Sequence, residues 1–181
     1  MTWVDRLSDD YVEAVQECEK DGYMSIEPWE GDLDHLRLVF RGMPETAYEN
    51  GIFIFEIFLQ GYPWEVPIVY CHTPIWHPNI IKYPAEYPAP SIPLRGSSGL
   101  QPNICHSLLD PRYKGKSGGW MGPGSSILEL ITSLKSLLSI PYGWEIPPDD
   151  PGLNHEAAQQ WKSGRKDFLK KAKEWTRKYA T

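Results

Sequence analysis

Cys105 is the residue whose setting most suggests chemistry. It stands in "NICHSLLD", between Asn103 and His106, inside a stretch over 73–124 that is loaded with Pro, Gly and Ser and shows almost no periodicity. A thiolate is a strong nucleophile, and an irregular segment gives it the access that reaction requires. The other two cysteines read differently. Cys18 falls on the apolar face of a helical pattern and Cys71 within a strand-like run, where cysteine behaves as a small hydrophobe. Three thiols cannot all pair with one another, and nothing in the chain suggests secretion, so free thiols are expected. A polar corner, "TPIWHPNI" (73–80), precedes the thiol: apolar, strand-like chain runs into His77, Pro78 and Asn79.

Two familiar uses of cysteine fit poorly. A Cys-His protease needs a base for the thiol and a group to orient that base. His106 adjoins Cys105, so in extended chain its side chain points to the opposite face. A zinc site drawn from Cys71, His72, His77, Cys105 and His106 has no CxxC or HxxxH pair, and adjacent residues rarely ligate one metal. No metal site is therefore expected.

The elements that must position these residues follow from periodicity. Residues 2–21 read as a helix with Thr2 and Asp5 as a capping box, Val4, Leu7, Tyr11, Val15 and Cys18 on one face, and Gly22 as the stop. "HLRLVFR" (35–41), "GIFIFEIFL" (51–59) and "PIVYCH" (67–72) read as strands joined by short, turn-rich links. Such links make an antiparallel meander of three or four strands, because parallel pairing needs a long crossover. After the irregular span, Ser126 and Glu129 form another capping box. Ile127, Leu130, Ile131, Leu134, Leu137 and Leu138 then make a stripe at helical spacing, ended by Pro141. A short helix near 154–162 halts at Ser163-Gly164, and a last one puts Phe168, Leu169, Ala172, Trp175 and Tyr179 on one side. The expectation is one α+β domain over 1–181: an N-terminal helix, a four-stranded antiparallel meander, a long loop, a central helix and two C-terminal helices.

On that layout the chain resembles the ubiquitin-conjugating enzymes, the UBC fold, over nearly its whole length. "YPWEVP" (62–67) resembles the family's Tyr-Pro-aromatic turn, "TPIWHPNI" its His-Pro-Asn signature, and "NICHSLLD" the segment bearing the acceptor cysteine. Trp120, "PPDDP" (147–151) and "AKEWTRKYA" (172–180) also fall in family order. The resemblance implies a transferase that carries ubiquitin or a ubiquitin-like modifier as a thioester on Cys105 and passes it to a lysine. It implies that His77 and Pro78 brace the site. Asn79 either donates to the oxyanion or holds the loop shut, and Asp150 either orients the incoming amine or serves as a turn residue. Implied partners are an activating enzyme, a ligase of RING type that docks on Trp64 and Pro123, and protein substrates. The Tyr62–Pro63 bond is a candidate for cis geometry. The alternative is a non-catalytic UBC-fold module that binds a modifier or scaffolds a ligase.

Composition bounds the partners. The net charge of −6 conceals eleven acidic against two basic residues over 1–34, and eight basic against two acidic over 162–178. Relatives tend to have a basic first helix at the activating enzyme; here Asp9, Asp10 and Glu13 make that face acidic, which calls for a basic groove on the partner. A nucleic-acid site would interleave these C-terminal cations with exposed aromatics, whereas here the aromatics fall at helix-core spacing, so no nucleic acid is expected. No window nears the ~18–20 apolar residues of a membrane span, and no leader pattern is seen, so a soluble, cytoplasmic protein is expected. Twenty-five residues separate Asn79 from Cys105, more than is usual in the family, and a second elongation occupies 110–119. Both flank the thiol and suit a lid or a wall that contacts the modifier.

Overall fold

The computed structural model describes residues 3–81, 102–140 and 152–181, without the side chains of Trp3 and Val4. Thr2, Pro141, Asp150 and nearly all of the first elongation lie outside the described residues. The order is α1 (Trp3–Asp21), β1 (Met24–Trp29), β2 (Asp32–Arg41), β3 (Ile52–Phe58), β4 (Ile68–Cys71), α2 (Ile127–Leu137), α3 (His155–Ser163) and α4 (Arg165–Tyr179), with short helical turns between β4 and α2. The four strands form one antiparallel sheet in the order β1-β2-β3-β4. This is the α+β layout expected from the pattern.

Alternation along each strand builds one face of the core. Leu36, Leu38 and Phe40 of β2 pair with Ile57, Phe55 and Phe53 of β3, and all six are buried. Cys71 and Val69 of β4 stand opposite Phe55 and Ile57 and continue that face. Strand β1 was not legible as a separate strand because Pro28 interrupts it. Proline is tolerated there since β1 is an edge strand and its register shifts at Pro28 and Trp29.

Helices cover the inner face. From α1 come Leu7, Ala14 and Cys18, with Tyr11 and Val15 half-buried beside them; from α2 come Ile127, Leu130, Ile131, Leu134 and Leu137. Ser126 caps α2 by accepting from the Glu129 N–H at 3.1 Å, satisfying a donor the helix itself leaves unpaired. Gly22 takes φ +72° where α1 ends, and its N–H reaches the Cys18 carbonyl at 3.0 Å. The C-terminal pair packs through Trp161 and Phe168, whose rings meet edge-on at 5.2 Å. Leu169 and Trp175 are only partly buried, and Tyr179, 39% exposed, packs edge-on against Trp175.

Candidate active site

The corner after β4 is built from the inside outwards. Ile75, Trp76, His77 and Ile80 are buried, so they anchor the turn in the core. His77 accepts the Asn79 N–H at Nδ1 (2.9 Å), which leaves its proton on Nε2 to donate to the Leu137 carbonyl (2.9 Å). That carbonyl ends α2 and has no partner within the helix, so the imidazole caps the helix and ties the corner to it. Burial pushes the His77 pKa down to about 3, which keeps the ring neutral. The Pro78 carbonyl accepts the Asn154 N–H at 2.8 Å, and the Asn154 side chain caps α3 through the Ala157 N–H. The corner thus joins the ends of β4, α2 and α3.

The thiol segment pairs with this corner. Ile80 and Ile104 form an antiparallel bridge, flanked by the bonds Cys105 N–H to Asn79 C=O (2.8 Å) and Ile81 N–H to Asn103 C=O (3.0 Å). Ile80 and Ile104 are buried, whereas Asn79 and Cys105, one step along on each side, are half-buried and exposed. Residues directly opposite one another in such a pair have Cβ atoms ~4.5–5.5 Å apart. Among the described residues the Asn79 side-chain oxygen has no hydrogen-bond partner. Cys18 and Cys71 are buried. Burial raises their thiols to about 11 and about 12, with Asp21 and Glu17 adding to the first.

Residues on either side of Cys105 take local roles. The His106 ring accepts the Leu108 N–H at 3.1 Å and caps the turn over Ser107–Leu109, so it is turned to the backbone. Burial lowers its pKa, favouring the neutral ring. Asp110 grips Arg112 with both carboxylate oxygens, at 2.6–3.0 Å. That bond is the main reason the Arg112 pKa rises and the Asp110 pKa falls. The 110–119 elongation folds back on itself: Gly115 N–H meets the Trp120 carbonyl at 2.8 Å, and Ser107 Oγ donates to the Gly118 carbonyl at 2.7 Å. A Cβ on Gly119 would lie 2.0 Å from the Tyr113 carbonyl oxygen, so only glycine permits this closure. Lys114 reaches back to Glu65 at 3.0 Å, tying the elongation to the 62–67 turn.

The presumed partner residues divide. Trp64 is 62% exposed and Pro123 is exposed. A Cβ built on Gly122 would stand 3.8 Å from the Trp64 ring, so the two loops share one surface. Met121, which the sequence reading did not single out, is 49% exposed on the same loop as Pro123. The Tyr62–Pro63 bond is cis, and buried Trp120 donates from Nε1 to the Pro63 carbonyl at 2.6 Å. On α1, Asp9 and Glu13 are exposed. Asp10 requires a correction. It is 7% exposed, pairs with Arg6 at 2.5 Å and accepts from the Tyr62 hydroxyl, while Arg6 also donates to the Ser125 carbonyl at 3.3 Å. Helical spacing puts Asp10 three residues from Leu7 and four from Ala14, on the inward side, so it braces α1 against both loops rather than facing a partner.

The sequence reading missed Asn103. It is fully buried, its side-chain oxygen accepts the Cys71 N–H at 2.9 Å, and its side-chain nitrogen donates to the carbonyls of Cys71 (2.8 Å) and Ile81 (2.7 Å). A lone Asn in irregular chain carries no periodic signal, so only tertiary contacts reveal it. Among the described residues no cluster of His, Cys, Asp and Glu is arranged to hold a metal.

Comparisons with known proteins point to one family. The family model described as "Ubiquitin-conjugating enzyme" matches residues 6–92. The ubiquitin-conjugating enzyme E2 N of Macaca fascicularis is 31% identical over 158 residues, covering 87% of this chain and 83% of that protein. The ubiquitin-conjugating enzyme E2 T of Homo sapiens is 34% identical over 149 residues, covering 82% of this chain and 61% of that protein. A solved ubiquitin conjugating enzyme E2 domain of Toxoplasma gondii superposes with a TM-score of 0.67 and covers 98% of this chain and 99% of its own; at 24% identity it speaks for the fold alone. The chain belongs to the ubiquitin-conjugating enzyme family.

Proposed function

We propose that this chain accepts the C-terminal glycyl group of ubiquitin, or of a ubiquitin-like modifier, as a thioester on Cys105, and transfers it to a lysine amine with the help of a ligase. One observation carries the reading: Cys105 is the exposed cysteine, and its N–H is bonded to the carbonyl of Asn79, while Cys18 and Cys71 are buried.

In the first step the Cys105 thiolate attacks the thioester carbonyl on the activating enzyme. A new C–S bond forms and the activating enzyme's thiolate leaves. Exchange between similar thiols needs no cofactor on this chain. In the second step a lysine amine attacks the Cys105 thioester, an amide forms and the Cys105 thiolate departs. The amine is the harder partner, because a lysine of pKa ~10.4 is neutral in only about one molecule in a few thousand at pH 7, a penalty of roughly 4–5 kcal/mol. By the family resemblance Asp150 is assigned to orient that ammonium, while desolvation lowers the amine pKa and its proton passes to water.

The Asn79 side chain is assigned to the oxyanion rather than to loop closure. In support, the closing bonds come from the Asn79 carbonyl, the His77 ring and the Asn103 side chain. Trp64, Pro123 and Met121 form the apolar face offered to a ligase of RING type, and Asp9 and Glu13 the acidic face offered to the activating enzyme.

The test is reconstitution with ATP, an activating enzyme and a modifier. A reductant-labile adduct on Cys105 is expected, becoming reductant-stable or absent in Cys105→Ser and persisting in Cys18→Ser. An adduct that forms on Cys71 would overturn the assignment.

A further inference from the structure

Strand β4 ends the sheet among the described residues, so its outer side presents backbone donors and acceptors that need partners. At Cys71, the last residue of β4, one side chain satisfies both. The Asn103 amide accepts from the Cys71 N–H at 2.9 Å and donates to the Cys71 carbonyl at 2.8 Å, imitating the paired bonds of an added antiparallel strand. Its remaining N–H donates to the Ile81 carbonyl at 2.7 Å, and the Asn103 backbone carbonyl accepts the Ile81 N–H at 3.0 Å. Both side-chain protons are therefore used. Two residues further on, Cys105 is bonded to Asn79.

These bonds meet at the base of the elongation. Residues 82–102 leave the pair at Ile81 and return to it at Asn103. Chain of that length, entering a catalytic segment without a fixed base, lets the segment wander, and an error of about 1 Å in a reacting group can cost ~100-fold in rate. A buried amide bonded both to β4 at Cys71 and to the corner segment at Ile81 removes this freedom.

We propose that Asn103 is a positioning residue for the Cys105 sulfur: by holding Cys71 and Ile81 at once, its side chain fixes the thiol segment against the His77–Asn79 corner. The proposal rests on reading Cys105 as the acceptor thiol. Asn103 touches no reacting atom.

The test compares the full-length chain with Asn103→Ala, Asn103→Asp and Thr176→Val. Aspartate keeps the shape and the acceptor for the Cys71 N–H but cannot donate to two carbonyls. Thr176→Val removes a buried hydroxyl whose one proton is shared between the Ala47 and Ala172 carbonyls, away from the thiol segment, and serves as a destabilised control. Two readouts are taken: hydrogen exchange of the Cys105 and Ile81 amides, and single-turnover discharge of the preformed thioester to free lysine over a range of lysine concentrations. In both Asn103 variants exchange is expected to quicken at least tenfold. Their maximal discharge rate should fall at least tenfold, with the half-saturating lysine concentration unchanged. Thr176→Val should discharge within twofold of the parent despite a lower melting temperature. Unchanged exchange, or discharge that falls no further than in Thr176→Val, overturns the proposal. Failure of the parent chain to form a thioester on Cys105 overturns the reading beneath it, and is seen before Asn103 is altered.

Discussion

A single buried ring sets the chemistry of the corner at the residue scale. His77 is neutral in the folded chain down to a pKa of about 3, whereas an unfolded chain takes up its proton near 6.5. Between those values the unfolded state binds more protons, so stability falls as pH drops from about 6.5 towards about 3. The slope is about 1.4 kcal/mol per pH unit in mid-window. His77→Gln is expected to lose about 1–3 kcal/mol at pH 7 through the bonds to Leu137 and Asn79, and to unfold with a pH dependence shallower by one proton. Urea titrations between pH 4 and pH 7 check both; an unchanged slope would show that the ring titrates in the folded state. Asn79→Ala tests the oxyanion assignment. Loss of one such donor costs ~2.7–4 kcal/mol, so discharge to lysine should fall by about 100-fold or more while formation of the Cys105 adduct persists, as read by single-turnover gels.

At the element scale, α1 and the two loops bearing Trp64 and Pro123 are held together by Asp10, which joins Tyr62 to Arg6, and by Arg6, which reaches Ser125. Hydrogen bonds to charged groups contribute ~1.5–3 kcal/mol each. Asp10→Ala should therefore destabilise by about 2–4 kcal/mol, through a carboxylate lost from a largely buried site, whereas Asp9→Ala on the exposed side should change stability by under about 0.5 kcal/mol. Equal melting curves for the two variants would remove Asp10 from its bracing role. The cap of α2 gives a smaller effect: Ser126→Ala should cost about 1 kcal/mol, measurable by the same melts.

Charge is segregated at the scale of the whole molecule, with an acidic α1 and a basic α4. Opposite fields on two helices of one chain steer encounters more than they hold complexes. Reversing Asp9 and Glu13 to lysine should leave the melting temperature near its starting value. It should change the rate of charging by a given activating enzyme several-fold at low salt and little at high salt. A rate indifferent to both charge reversal and salt would show that this face is not used.

The sequence by itself determined the alternation of Leu36–Phe40, the strand-forming apolar run of β3, the stripe and cap of α2, the Gly164 break between α3 and α4, and the distinction between Cys105 and the two core cysteines. These are readable because period, capping and glycine act within a few residues of one another. Only the tertiary structure decided that Pro28 lies in an edge strand, that Asp10 turns inward to Tyr62 and Arg6, that His77 serves the end of α2, and that Asn103 closes the open side of β4. Each of those depends on which backbone groups the remote parts of the chain leave unpaired, and local pattern does not encode such vacancies.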